Sequence, residues 1–278
     1  MRFLTGFLWI LALTAQPALA EAPQRLKTLE QQLASLEFTT RGDVGIAALD
    51  LATGELVSVH GDEPFPMAST VKIAIAANYL AQVEHGRRTL DQLIRGRRAS
   101  QLLEAMLIHS DNVATDMVLR DLGGPKTVQN WFTQQGIADL RIDRTIAQLL
   151  SARRDLHDTR DSSTPRAMVD LLRRLDGGQL LSPSSRSYLL GLMSRCATGK
   201  NRIRGFLPAG VKVENKTGTL SGLTTDVGVL TLPDGRRIAV ALFARAGTNR
   251  PQAIARAARA IYDSFSITRF ASYGSTQR

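Results

Sequence analysis

The sequence predicts a fold with two parts, an α/β part built on an antiparallel sheet flanked by helices and an all-α part inserted into it. Residue patterns typical of strands occur at 44–50, 55–60, 212–219, 225–232 and 236–245. From about residue 69 to about residue 192 the pattern is mostly helical. Strands from both ends of the chain must therefore meet around a helical insert.

The elements follow from local signals in chain order. Leu26, Leu29, Leu33 and Leu36 have helical spacing and predict an amphipathic helix over residues 24–37. A turn containing Gly54 joins the first two strands, and Pro233-Asp234-Gly235 separates the last two. Residues 252–265 are again helical in pattern. We therefore expect an α/β domain from residues 24–65 and 208–266, an all-α domain from 66–207 and a tail at 267–278.

The chain begins like a secretory signal peptide. Arg2 precedes a short apolar run at residues 3–13, and Ala18-Leu19-Ala20 has the A-x-A form of a cleavage site. The apolar run is too short for a transmembrane helix. We expect cleavage after Ala20 and a periplasmic or secreted mature protein without a membrane span; an uncleaved anchor is the alternative.

Composition excludes several classes of site. Cys196 is the only cysteine, so neither an internal disulfide nor a paired-cysteine metal site can form, and we expect it to be a small buried apolar residue. The formal net charge is +10, but the arginine runs lack interleaved aromatics and no nucleic-acid-binding motif accompanies them. The four histidines lack metal-ligand spacing. We expect no nucleic-acid partner, no metal and no other cofactor.

Three short sequence motifs, which we call strings, contain the residues expected to perform the chemistry. The first is Ser69-Thr70-Val71-Lys72. The residues after Ser69 are almost all apolar, which predicts a buried helix that Ser69 opens. Lys72 would then lie one turn away on the same face, within reach of the serine hydroxyl. Because burial disfavours a charged amine, Lys72 can act as the base that activates Ser69 as a nucleophile. The alternative is an N-cap serine followed by a surface lysine.

The second string is Ser110-Asp111-Asn112, between two predicted helices. Ser110 can pass a proton to a departing amine, and Asn112 can orient a substrate amide. We expect Asp111 to bond the backbone at the helix start, a position that Ser, Asp and Asn favour. By itself the string is no more than a helix cap.

The third string is Lys216-Thr217-Gly218, within a predicted strand. Lys216 supplies a positive charge for a substrate carboxylate, Thr217 adds a hydroxyl, and Gly218 allows close approach to the backbone. The N–H groups of Thr219 and Ser69 can form an oxyanion hole. Alone, this string would be an ordinary strand end.

These strings in this order resemble the class A β-lactamases, within the penicillin-recognising serine enzymes. The resemblance covers about residues 26–265 and implies the β-lactamase/transpeptidase-like fold. Further matching segments are 121–125, 141–144, 160–165 and 201–208. The resemblance implies that Arg144 and Asp161 form an ion pair that closes an omega loop, and that Arg202 helps to bind the substrate carboxylate. Arg250 is a weaker candidate for that role, because Thr225 stands where other members place an arginine.

The chain departs from the family inside the omega loop. Ile146 stands where the family has a glutamate and Leu150 where it has an asparagine, and the loop is about two residues longer. In the family, that pair holds and activates the water that hydrolyses the acyl-enzyme. Two apolar side chains cannot do this, so we expect acylation to survive and deacylation to be slow or atypical. Asp155, His157 and Asp158 are alternative bases in the loop, and Lys72 itself is another.

Three functions therefore remain open. The first is a serine hydrolase that opens the β-lactam amide through a Ser69 acyl-enzyme with atypical deacylation. The second is a penicillin-binding protein or cell-wall peptidase that acts on a peptidoglycan-like substrate and barely turns over. The third is a non-catalytic binding module on an inherited scaffold. In each case we expect a small-molecule substrate or ligand and a monomer.

Overall fold

A computed structural model describes the backbone of residues 18–267 and the side chains of residues 24–266. The predicted signal peptide at residues 1–20 and the predicted tail at 267–278 therefore fall almost entirely outside the described residues. Among the helices from Ala18 to Ile267, none has the length and apolar character needed to span a bilayer.

The centre of the fold is a five-stranded antiparallel sheet with the strand order β2-β1-β9-β8-β7. The strands, in chain order, are β1 (Asp43–Asp50), β2 (Leu56–Val59), β3 (Phe65–Pro66), β4 (Leu93–Ile94), β5 (Arg97–Arg98), β6 (Ser162–Ser163), β7 (Val213–Leu220), β8 (Leu223–Thr231) and β9 (Arg237–Arg245). The short strands form two separate pairs, β3 with β6 and β4 with β5. The predicted antiparallel sheet with strands from both ends of the chain is confirmed.

Helices lie on both sides of this sheet. They are α1 (Ala18–Ala34), α2 (Leu36–Thr40), α3 (Val71–Glu84), α4 (Ala99–Ile108), α5 (Asn112–Asp121), α6 (Pro125–Gln134), α7 (Ile146–Ser151), α8 (Pro165–Asp176), α9 (Pro183–Ser194) and α10 (Arg250–Ile267). Between residues 18 and 267, two short 3-10 turns occur at Ala68–Thr70 and Ile203–Gly205.

Two boundaries differ from the sequence prediction. The helix predicted over residues 24–37 is interrupted at Ser35 and continues as α2. Arg41, the residue that caps the end of α2, has the left-handed conformation. The prediction that Ser69 opens a helix is also wrong in detail, because Ser69 lies in the 3-10 turn and α3 begins at Val71. The tighter turn places the nucleophile candidate just before the helix axis starts.

The two faces of the sheet pack into two apolar clusters, as the period of two along a strand requires. In β1, Val44 and Ile46 face the cluster that contains α1 and α10, whereas Ala47 and Leu49 face the cluster built around α3. Every residue of α3 from Val71 to Ala81 is buried. This explains why its sequence is apolar on all sides and why Lys72 loses its hydration.

Candidate active site

Ser69 sits where the 3-10 turn meets strand β7. Ala68, the residue before it, has a φ of 50°, a left-handed conformation that costs a non-glycine residue free energy and is often found at functional sites. A Cβ atom on Gly218 would lie 2.9 Å from the Ser69 amide nitrogen and 2.8 Å from the Met67 carbonyl oxygen. The absence of a side chain at Gly218 therefore lets the backbone of β7 touch the backbone of the nucleophile.

Lys72 is fully buried, and its ammonium joins the first string to the second. Nζ donates to the Ser110 carbonyl oxygen at 2.7 Å, to Asn112 Oδ1 at 2.8 Å and to Ser110 Oγ at 3.2 Å. Burial, and after it the positive charge of Lys216, lowers the pKa of Lys72 to about 7. A substantial fraction of this amine is therefore neutral near neutral pH.

The contact predicted between Lys72 and Ser69 is not among these three hydrogen bonds. The arrangement is that of a charged ammonium with all three N–H groups donated to the second string. Loss of one proton would free a lone pair on Nζ, and that lone pair is what a base at Ser69 requires. The role of Lys72 as base stays a prediction.

The second string forms a strained corner between α4 and α5. Ser110 has a φ of 60°, and both its carbonyl oxygen and its hydroxyl oxygen accept from Lys72. Asp111 caps α5 by accepting a hydrogen bond from the Ala114 amide at 2.7 Å, as predicted. The cap fixes Asn112 as the first helical residue, with its side-chain oxygen on Lys72.

The third string lies in the outermost strand of the sheet. Lys216 is fully buried, donates to the Thr217 carbonyl oxygen at 2.9 Å, and has its pKa lowered to about 8 chiefly by burial. The Thr217 hydroxyl is 2.5 Å from the hydroxyl of Thr198. Thr219 is the exposed residue near this end of β7.

Arg202 lies against this strand. Its Nη1 donates to the carbonyl oxygens of Gly218 at 2.8 Å and Thr225 at 3.0 Å, and its Nη2 donates to Thr219 Oγ1 at 2.6 Å. Arg250, the weaker candidate, donates instead to the Ala246 and Gly247 carbonyl oxygens. The structure thus brings Arg202 to the third string and ties Arg250 to the end of β9.

The ion pair expected at the neck of the omega loop is present. Arg144 Nε is 2.5 Å from Asp161 Oδ2, and the same guanidinium is 3.1 Å from Asp158. The other oxygen of Asp161 accepts from the amides of Asp143 and Arg144 at 2.8 and 2.9 Å. The neck is therefore held by charge and by backbone hydrogen bonds together.

The alternative bases of the loop do not face the site as free groups. Asp155 and His157 are exposed. Asp158 is paired with Arg144 and Arg160, and the hydrogen bond from Arg160 is the main cause that lowers the pKa of Asp158 to about 2. A carboxylate this acidic is a weak base, which argues against Asp158 as the base for deacylation.

Ile146 is the first residue of α7, and its side chain is buried in the apolar cluster around α3. The amides of Ile146 and Ala147 donate to the two carboxylate oxygens of Asp116, at 2.7 and 3.0 Å. Leu150 is half exposed. Asp116 therefore orders the start of α7, and its carboxylate oxygens are both engaged by backbone amides. That Ile146 replaces the family's glutamate stays a prediction.

The sequence reasoning missed two buried carboxylates near the site. Asp116 holds the start of α7, and Asp226 lies behind the third string, where it accepts from Asn215 Nδ2 at 2.8 Å and the Ile203 amide at 3.2 Å. Burial raises the pKa of Asp226 to about 6. Both could have been suspected from the sequence, because each is an acidic residue among apolar ones: Asp116 in α5 and Asp226 in β8.

Comparison with known proteins gives one consistent result. The model of the "Beta-lactamase enzyme family" matches residues 28–100 and 96–265. The carbapenem-hydrolyzing β-lactamase KPC of Klebsiella oxytoca is 32% identical over 238 residues, which are 78% of this chain and 80% of that protein. β-Lactamase CTX-M-8 of Citrobacter amalonaticus is 31% identical over 280 residues, which are 92% of this chain and 94% of that protein.

Solved structures agree with the sequence relatives. The structure of the last common ancestor of Gram-negative bacteria β-lactamase class A superposes with a TM-score of 0.81 at 35% identity, covering 86% of this chain and 99% of that one. The TLA-3 extended-spectrum β-lactamase, at 24% identity and a TM-score of 0.81, has the same fold.

Proposed function

The chain belongs to the β-lactamase enzyme family, as a class A β-lactamase-like serine hydrolase, and we propose that it opens β-lactams through an acyl-enzyme on Ser69. The observation that carries the proposal is the buried Lys72, whose amine is held at Ser110 and Asn112 and loses its proton near neutral pH. A lysine of this kind can supply the base for acylation without an omega-loop acid.

In the acylation step, the Ser69 oxygen attacks the lactam carbonyl carbon while its proton passes to neutral Lys72. The amides of Ser69 and Thr219 donate to the oxyanion of the tetrahedral intermediate. The C–N bond then breaks, and the Ser110 hydroxyl donates its proton to the departing nitrogen. Lys72, 3.2 Å from Ser110 Oγ, returns a proton to Ser110 and is neutral again.

The substrate is held by the third string. Lys216 provides the positive field for the substrate carboxylate, and the hydroxyls of Thr217 and Thr219 provide donors. Arg202 adds a second cation and orients Thr219 through its hydrogen bond to the threonine hydroxyl. Gly218 keeps the strand close to Ser69, and Asn112 orients the amide of the substrate.

Deacylation is the step we expect to be slow. Ile146 and Leu150 offer no acceptor to hold or deprotonate a water, and the loop acids are either exposed or paired with arginines. Lys72 then remains as the base for both half-reactions. The acyl-enzyme should accumulate.

We also propose that the enzyme acts outside the cytoplasm as a monomer. The signal-peptide pattern at residues 1–20 supports export to the periplasm or beyond. The substrate in that compartment is a β-lactam or a peptidoglycan-like peptide.

A single assay separates this function from the two alternatives. The mature protein is mixed with a chromogenic cephalosporin, and both the released product and the mass of the protein are followed. Sustained product with an adduct on Ser69 supports a hydrolase, and a single burst with a lasting adduct supports a penicillin-binding protein. No adduct, with the same result for Ser69→Ala, supports a binding module and refutes the proposal.

A further inference from the structure

His60 bridges two glutamates that come from different elements of the fold. Its Nδ1 is 2.6 Å from Glu63 Oε1, and its Nε2 is 3.2 Å from Glu37 Oε1. Glu63 belongs to the connection between β2 and β3, whereas Glu37 lies in α2. The imidazole therefore joins α2 to this connection through both of its ring nitrogens.

The two contacts together require a proton on the ring. A charged histidine donates from both nitrogens, whereas a neutral histidine has one donor and one acceptor. After loss of the proton, one of the two glutamates would face a lone pair instead of an N–H group. The bridge is therefore complete only in the imidazolium form.

The bridge also holds the start of β1. Oε1 of Glu37, the atom that contacts His60, accepts a hydrogen bond from the Val44 amide at 3.2 Å. His60 itself has a φ of 47°, a left-handed conformation that persists only where the surrounding structure stabilises it. The contacts of the ring with both carboxylates supply such stabilisation.

Further charged groups beside this cluster are paired with each other. They are Asp43 with Arg245 at 2.8 Å and Asp62 with Arg166 at 3.3 Å. Arg245 also lies 3.6 Å from Glu63 Oε2, so one oxygen of Glu63 faces a cation of β9 and the other faces His60. The charges that act on the His60 ring are thus those of the two bridged glutamates.

These charges favour the protonated ring. Burial lowers the pKa of His60, but the hydrogen bond to Glu63 and the negative charges of Glu37 and Glu63 outweigh burial and raise that pKa above the ordinary value of 6.5. The folded chain therefore holds this proton to a higher pH than the unfolded chain does.

We propose that His60 is an acid-strengthened latch, in which the protonated ring ties α2 to the β2–β3 connection and loss of the proton loosens α2. Because the pKa is raised in the folded chain, the stabilisation is complete below the unfolded value of about 6.5. It is lost as the pH rises through the pKa of the folded chain. The latch does not depend on the proposed hydrolase activity.

NMR titration of the His60 ring from about pH 5 to about pH 8 tests the proton directly. We expect a midpoint above 6.5 in the wild type. Glu37→Gln and Glu63→Gln should each lower the midpoint, because each variant removes one of the two bridged carboxylates. A wild-type midpoint at or below 6.5, or a midpoint that neither variant lowers, overturns the latch.

Hydrogen exchange at the Val44 amide tests the loosening of α2. We expect its protection in the wild type to fall about two- to fivefold from about pH 5 to about pH 8, the size of effect expected of partly exposed ion pairs. The Asp50 amide, at the other end of β1, donates to the Glu55 carbonyl oxygen and is the internal control. Its protection should show no such fall.

Two variants complete the exchange experiment. His60→Arg keeps a permanent cation between the glutamates, so the protection of Val44 should stay constant over the same range. His85→Gln removes a histidine at the end of α3, outside the latch, and should behave like the wild type. If Val44 loses protection to the same extent in the wild type and in His60→Arg, the proton on His60 does not control α2 and the proposal is refuted.

Discussion

At Gly218, strand β7 runs so close to the backbone of Ser69 that no side chain fits between them. The Cβ of any other residue would meet Thr225 Oγ1, the Met67 carbonyl oxygen and the Ser69 amide, all within 3 Å. Two of these are backbone atoms and cannot turn away as a flexible side chain would. The spacing between the two proposed oxyanion donors therefore depends on this glycine.

We predict that Gly218→Ala slows acylation of Ser69 by about 10²–10³, the cost of losing one oxyanion donor. Rates of adduct formation on a penicillin give the comparison. Gly191→Ala in α9 is the matched control, because a Cβ there meets nothing within 4 Å, and its acylation should equal that of the wild type. Normal acylation in Gly218→Ala would mean that β7 does not supply the hole.

At the scale of an element, the loop between Arg144 and Asp161 is held closed by residues other than Ile146, where we predict that the family's glutamate is missing. Asp116 binds the first two amides of α7, Thr145 caps the helix, and Arg144 with Asp161 closes the neck. The residues that hold the loop in place are thus different from the residue expected to determine how fast the acyl-enzyme is hydrolysed. A substitution at Ile146 can therefore change the rate of deacylation while these contacts keep the loop closed.

We predict that Ile146→Glu raises the rate of deacylation by roughly 10²–10⁴, the usual contribution of a general base. Steady-state turnover and the lifetime of the Ser69 adduct measure it. Ile146→Gln is the control of equal size that lacks a basic carboxylate, and it should leave the adduct long-lived. If the glutamate variant deacylates no faster than the glutamine variant, a misplaced water is not the defect.

At the scale of the whole molecule, three ionisable side chains are buried where the helices around α3 meet the sheet. Lys72 comes from α3, Lys216 from β7 and Asp226 from β8, and all three are fully buried. Burial lowers the pKa of both lysines, to about 7 and about 8. Because burying charged groups costs free energy, we infer that these three residues are retained for their role in the site and lower the stability of the fold.

This arrangement makes stability depend on pH in a defined direction. In the unfolded chain, Lys72 stays protonated up to the ordinary lysine pKa of about 10.4. In the folded chain, Lys72 releases that proton from about pH 7. The unfolded state therefore binds more protons between these values. The free energy of unfolding should rise with pH across that window as far as Lys72 determines it.

We predict that Lys72→Met is more stable than the wild type by about 1–4 kcal/mol at about pH 6, and that the difference shrinks toward about pH 10. Urea unfolding at several pH values measures it, with Lys126→Met, at an exposed lysine, as the control without such a trend. A difference that is constant with pH would contradict the burial of a titrating amine.

The strands of the large sheet were predictable because each is a short stretch with its own residue pattern. The Arg144–Asp161 pair was expected only because the chain resembles the family. The partners of Lys72 were not predictable, since Ser110 and Asn112 are 38 and 40 residues away and the ammonium can be satisfied in several ways. The contact of Asp116 with the start of α7 was missed for the same reason. Those contacts depend on how loops pack against each other, and no local propensity records that.

Lys72 remains the residue on which the mechanism depends, and the pH profile of acylation tests it most directly. The rate of penicillin capture on Ser69 is measured by mass from about pH 5 to about pH 9 for the wild type and Lys72→Ala. We predict a wild-type rate that rises with pH and levels off above about 7, where the amine is neutral, and a loss of roughly 10²–10⁴ in the variant. Capture by Lys72→Ala at the wild-type rate would contradict the account.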